Sequence, residues 1–148
     1  MPVVGGSLRN ATLLVALVAI ISACSAGASP SPTSSGPSTL SGTSWKLTML
    51  GNAAPTAEAT LVFAADSASG SAGCNTFNAT YTADASSLKF GPIALTRMAC
   101  EPGVTTFESA YVSALTNTTK YVMTADQLTL QSGGSETLLV YSAGATQP

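Results

Sequence analysis

The chain has 148 residues, a net charge of −2, and 8 % charged against 45 % hydrophobic side chains. That balance suits one packed domain rather than a disordered chain, and without clustered Lys and Arg it argues against a nucleic-acid partner. Histidine is absent, which removes Ser-His-Asp and Cys-His nucleophile systems and most zinc sites.

Residues 1–23 read as a signal peptide outside the fold. Arg9 precedes an apolar run from Ala11 to Ile21 that ends in Ser22-Ala23-Cys24. A membrane-spanning helix needs about 20 apolar residues, roughly twice this run, whereas a short apolar core followed by small residues is a leader. Ile21-Ser22-Ala23-Cys24 resembles the lipobox of bacterial lipoproteins. The resemblance implies cleavage before Cys24 and lipidation of its thiol, so the expected location is the outer face of the bacterial cell membrane, or the outer membrane. The rival reading is an ordinary secretory cleavage site beside a cysteine. Residues 24–42 then form the lipidated cysteine and a Ser/Pro-rich tether, extended and solvated.

The globular part is expected over residues 43–144. Trp45, Leu47 and Met49 alternate with polar or outward residues, as do Ala59, Leu61 and Phe63. A period of two marks half-buried strands. Asp66 to Gly70 reads as a turn, with a strand through Ala72 and Cys74 after it. Further strands are expected from Phe77 or Asn78 to Ala83, at Leu88 and Phe90, and at Ile93 and Leu95 after the Gly91-Pro92 turn. Gly73 fits a bulge or a close backbone approach.

One segment departs from the β pattern. Phe107, Tyr111 and Leu115 recur at helical spacing, Thr105 and Glu108 read as a capping box, and Asn117 is the expected stop. Lys120 to Thr124, Leu128 to Gln131 and Thr137 to Tyr141 complete the chain as strands. The expected fold is all-β with one helix: a small antiparallel barrel of about eight strands, the helix packed at one end.

The stretch from Gly70 to Cys100 organises this fold. It holds both cysteines of the globular part, Cys74 and Cys100, and the one arginine beyond the leader, Arg97. Outside the cytoplasm disulfides form and persist, so the two cysteines are expected to be bridged. Closing a loop of about 26 residues stabilises by roughly 3–4 kcal/mol. The alternative is a redox pair or metal site, which the absence of CxxC and histidine disfavours.

Trp45-Lys46-Leu47, Leu61-Val62-Phe63, Gly73-Cys74-Asn75 running through Phe77 to Tyr81, Thr96-Arg97-Met98-Ala99-Cys100 and Leu128-Thr129-Leu130 together resemble the META domain, or HslJ-like, family. The resemblance covers Thr43 to about Ser142, and the Gly-Cys-Asn and Thr-Arg-Met-Ala-Cys pair is its specific part. It implies a small β-barrel with a helix, in envelope and secreted proteins that are often lipoproteins. Members of that family are associated with heat shock, novobiocin resistance and motility. Ala79 stands near a position where the family usually has glycine.

Arg97 has two readings. As a structural residue it pairs with Glu101 or Glu108 near the helix start or snorkels over an apolar rim; as a functional one it binds a carboxylate or phosphate at the barrel mouth. Asn75 and Asn78 read first as turn-formers, with Asn75 the second candidate contact for a ligand or partner. Trp45, Met49, Met98 and Met123 are expected to fill the core. The single turn aspartates do not make a calcium loop, so no metal or cofactor is expected. Lys46, Lys89 and Lys120 are the default residues for a Ser-Lys enzyme, but no motif supports one. The expected role is therefore non-enzymatic: an envelope lipoprotein, held at the membrane through its lipid, that binds or supports another envelope component or takes part in stress tolerance. The alternative is a barrel that carries a small hydrophobic ligand or lipid.

Overall fold

The computed structural model describes residues 40–144. The signal peptide, the lipidation site Cys24 and nearly all of the tether fall in residues 1–39, outside the described residues. The folded part begins ahead of the expected Thr43. Leu40 is buried in the core, and the Gly42 N–H donates to the Phe63 carbonyl at 2.7 Å.

Among the described residues, nine strands and one helix follow in chain order. They are β1 (Ser44–Leu50), β2 (Thr60–Phe63), β3 (Ser67–Ser71), β4 (Thr76–Ala83), β5 (Leu88–Phe90), β6 (Ala94–Leu95), α1 (Pro102–Thr116), β7 (Lys120–Met123), β8 (Gln127–Gln131) and β9 (Thr137–Ala143). Their sheet order is β5-β4-β3-β2-β1-β9-β8-β7, with β6 also pairing β4. Pairing is antiparallel throughout. The last strand thus returns to the first, and the two ends of the path meet. Leu88 N–H donates to Thr119 O at 3.2 Å and Tyr121 N–H to Ser86 O at 3.0 Å, which joins the start of β5 to β7. The result is a nearly closed eight-strand barrel, a form that hides most sheet edges from other chains.

Alternation along the strands builds the interior. Trp45 and Leu47, Leu61 and Phe63, Leu128 and Leu130, Leu139 and Tyr141 all point inward and are buried. The two-residue period lets one face be apolar without exposing the other. Met49 is the exception: it was expected inside and is 38 % exposed. The β1–β9 register shifts between Leu47 and Met49, and one extra residue turns the following side chain to the other face.

Four local expectations are corrected. Residues 66–70 do not make a turn: Ser67–Ser71 is β3, paired on both sides by β2 and β4. Its small polar residues have weak strand propensity, and lateral pairing overrides it. Gly70 is required there, because a Cβ would overlap the Thr60 carbonyl group, its carbon only 2.7 Å away. The strand expected through Ala72 and Cys74 is instead a tight turn, with Ala72 N–H donating to Asn75 O at 2.7 Å. Asn78 and Ala79 lie within β4, not in a turn, with Ala79 buried.

The fourth correction concerns α1. Its first residues are Pro102 and Gly103, and Glu101 is the N-cap without a side-chain cap bond. Proline suits the first helical position because the N–H it lacks would have no partner there. Thr105 consequently lies inside the first turn, its Oγ1 donating to Glu101 O at 3.2 Å, and no capping box forms. The C-terminal stop at Asn117 is as expected. Phe107, Tyr111 and Leu115 are buried against the barrel. Tyr111 meets Phe77 edge-on at 5.9 Å and stacks with Phe107 at 6.1 Å.

Candidate functional site

Asn75 is the centre of a clamp that draws three distant segments together. It follows a turn that only glycine can make comfortably. Gly73 has φ +107°, and a Cβ there would press within 3.2 Å of Phe107 and Val104 on α1. Asn75 then lies almost fully buried, at 4 % exposure. Its Oδ1 accepts from Thr96 Oγ1 at 2.9 Å and from the Met98 N–H at 2.8 Å. Its Nδ2 donates to Glu108 Oε1 at 3.1 Å, and its own backbone N–H donates to Glu108 Oε2 at 3.0 Å. One side chain therefore joins the β3–β4 turn, the loop after β6 and the helix. A bidentate, charge-assisted contact of this kind is stronger than a neutral pair.

The Cys74–Cys100 disulfide lies beside the clamp, with Cα atoms 6.1 Å apart. Thr96 adds two backbone ties to β4. Its N–H donates to Thr76 O at 3.0 Å, and its Oγ1 accepts the Thr76 N–H at 3.1 Å. The loop from Thr96 to Cys100 is thus held at both ends and in the middle, though it forms no regular element.

The same constraints turn Arg97 and Met98 outward. Arg97 is exposed, and Met98 is 64 % exposed, so it does not fill the core. Among the described residues the ion pair within 4 Å is Lys46–Glu58. Arg97 therefore reaches neither Glu101 nor Glu108, because Glu108 is turned toward Asn75. Asn75 and Arg97 thus lie side by side in the fold with different surroundings: the amide of Asn75 is engaged within the protein, while the guanidinium of Arg97 faces solvent. Between the loop and α1 lies an open depression of about 770 Å³, lined by residues 93–100 with Asn75, Thr105 and Glu108. A smaller one, about 390 Å³, lies where the chain enters and leaves the barrel, beside Thr43, Trp45, Phe63 and Gly144.

The barrel centre is filled. Tyr111, Tyr141, Phe63, Leu61, Leu88 and Leu115 are each under 2 % exposed, so the volume that a carried lipid would need is taken by side chains. The tyrosine hydroxyls form a buried chain: Tyr141 donates to Tyr111 at 3.0 Å, and Tyr111 to Thr60 O at 3.3 Å. Burial pushes both hydroxyls well above their ordinary value. Of the lysines, Lys46 pairs with Glu58, and Lys120 Nζ donates to Ser135 Oγ at 3.3 Å on the exposed β8–β9 turn.

Sequence reasoning missed Glu108 as a partner of Asn75 and assigned it to the helix cap. The two residues are 33 apart in sequence, and local patterning carries no signal for such a pair.

Fold and clamp together define a small, helix-plugged, disulfide-closed antiparallel barrel. The META domain family matches residues 38–145, and the chain belongs to that family. It is similar to a protein from Burkholderia xenovorans solved by NMR, at 33 % identity and a TM-score of 0.57, covering 72 % of this chain and 84 % of that one. A second NMR structure shares the fold at 24 % identity and a TM-score of 0.53, covering 70 % and 90 %. A crystal structure of a duf4847 family protein from Bacteroides vulgatus does so at 16 % identity and a TM-score of 0.53, covering 74 % and 97 %. A search of curated proteins finds no match.

Proposed function

We propose that this chain is exported, carries lipid on Cys24 at the outer face of the bacterial membrane, and acts without catalysis by holding another envelope component against the loop at Arg97 and Met98. The supporting observation is the loop itself. A disulfide, the Asn75 amide and two Thr96 ties immobilise its backbone, yet its arginine and methionine face solvent. Rigid backbone beneath exposed Arg and Met favours binding, because little conformational freedom is lost when a partner docks. Methionine and arginine are also enriched at interfaces relative to other surface.

Two measurements test this reading. Palmitate labelling in the native host is expected for the wild type and lost in Cys24→Ala; labelling that persists removes the anchor. A photo-crosslinking amino acid at Met98, introduced in intact cells, is expected to give a discrete protein adduct that Arg97→Glu suppresses. The same probe at Val122, on the exposed outer face of β7, is the control. An adduct pattern from position 98 identical to that control overturns the partner contact.

A further inference from the structure

Among the described residues, one stretch of sheet edge that the barrel leaves unpaired borders this loop. β6 pairs only with β4, through Leu95 with Phe77 and Ala94 with Asn78. The next residue, Thr96, donates its N–H to Thr76 O at 3.0 Å. In an antiparallel ladder, residues that bond inward alternate with residues whose N–H and C=O point the other way. Since Thr96 bonds inward, Leu95 presents its backbone N–H and C=O to the side away from β4, and Leu95 also lines the depression. Arg97, two residues on, uses neither its backbone nor its guanidinium in a hydrogen bond among the described residues. An extended chain with unused donors and acceptors therefore borders an open hollow of about 770 Å³ whose other wall is α1.

We infer that this edge accepts an extended peptide segment of a partner protein as an added strand, with an acidic side chain of that peptide meeting Arg97. The inference rests on the proposed partner contact and specifies its chemistry and geometry. Strand addition gets its affinity from main-chain hydrogen bonds and its selectivity from the side chains that flank them. Leu95 supplies the central pair of bonds. Arg97 supplies a guanidinium fork suited to a carboxylate, with no acidic neighbour within 4 Å among the described residues to neutralise it. Met98, 64 % exposed beside it, gives an adaptable apolar contact for the adjacent peptide residue. The Glu108 carboxylate lines the same hollow but is engaged by Asn75, so it does not compete for the arginine.

The disulfide and the Asn75 clamp explain why such an edge is tolerated. Exposed edges recruit unwanted strands, and proteins limit this by keeping them very short. β6 has two residues, and the chain beyond it is bent into the clamp. Only a segment that also satisfies Arg97 gains enough contact to stay.

The test uses the full chain, purified in detergent with its disulfide oxidised, and a phage-displayed library of short random peptides. Enriched peptides are expected to be acidic and able to adopt an extended form. Arg97→Glu is expected to weaken them at least tenfold, and replacing their acidic residue by lysine is expected to restore binding to that variant. In the wild type, adding a selected peptide is expected to slow amide exchange at Leu95 at least tenfold, a readout that needs no substitution. Leu95→Pro removes the outward N–H while leaving the β4 bonds of Ala94 and Thr96 in place, and is expected to abolish binding. Enriched peptides indifferent to Arg97→Glu, unchanged exchange at Leu95, or no enrichment above the Leu95→Pro background would each overturn the inference. If the Met98 cross-link forms in cells and survives Leu95→Pro, the partner contact stands and strand addition falls. If that cross-link never forms, the underlying reading falls with it.

Discussion

Replacing Asn75 by alanine tests whether the clamp holds the loop in place. The change deletes two neutral hydrogen bonds, from Thr96 Oγ1 and the Met98 N–H, one to the Glu108 carboxylate, and a weak one to Cys100 Sγ at 3.4 Å that adds little to the sum. Neutral bonds contribute about 1 kcal/mol each and a bond to a charged group about 1.5–3 kcal/mol. The gross loss is therefore about 3.5–5 kcal/mol. Thr96 is exposed and Glu108 half-buried, so water recovers part of this, and a net loss of about 2–3 kcal/mol is expected. Against a typical domain stability of about 5–15 kcal/mol that is a large share. In urea, with a slope of about 1–3 kcal/mol per molar, the midpoint should fall by about 1–2 M. Asn75→Asp separates hydrogen bonding from size. It keeps the volume but places a second carboxylate beside Glu108, and should be at least as damaging. If both variants, with the disulfide intact, unfold within about 0.5 kcal/mol of wild type, the clamp does not stabilise the domain and the reasoning fails.

Further outcomes follow from the same geometry. Gly70→Ala should destabilise by about 1–3 kcal/mol or more in chemical denaturation, since its methyl meets the Thr60 backbone, whereas Gly103→Ala, with nothing within 4 Å at the start of α1, should be neutral or gain up to about 1 kcal/mol. Removing the bridge in the Cys74→Ala/Cys100→Ala double variant, with the half-cystines at a sequence separation of 26, should cost about 3.5 kcal/mol by chain entropy, read as a lowered denaturation midpoint. Tyr111→Phe should cost about 1–3 kcal/mol, because the buried Tyr141 hydroxyl loses its acceptor, and the double change to phenylalanine at both positions should cost less than the sum. The hydroxyls of Tyr111 and Tyr141 are raised above 10 in the folded state. The unfolded chain therefore releases protons first as pH rises. Stability should be flat below about pH 10 and then fall by about 1.4 kcal/mol per pH unit for each tyrosine, seen as tyrosinate absorbance appearing together with unfolding.

Much of the barrel was readable along the chain. The period-two runs at Trp45–Met49, Leu61–Phe63 and Leu128–Leu130 depend on nearest neighbours, because strand geometry alone sends successive side chains to opposite faces. The helical stripe of Phe107, Tyr111 and Leu115 was legible for the same local reason, and the Cys74–Cys100 pairing from cysteine usage and the expected compartment. Where lateral pairing outweighed local preference, the reading failed. Ser67–Ser71 became a strand between two others, the bulge at Leu47/Met49 turned Met49 outward, and Pro102 opened a helix that had been expected to start later.

Local patterning along the chain is enough to specify a small β-barrel capped by a helix and closed by a disulfide, since periodicity and cysteine count are properties of short stretches. That Asn75 holds Glu108 and the Met98 backbone, that Arg97 has no acidic neighbour within 4 Å among the described residues, and that Leu95 offers an unpaired edge are set by tertiary contacts alone. Those relations join residues 20 or more positions apart, and chain connectivity places no constraint on such pairs until the barrel has closed.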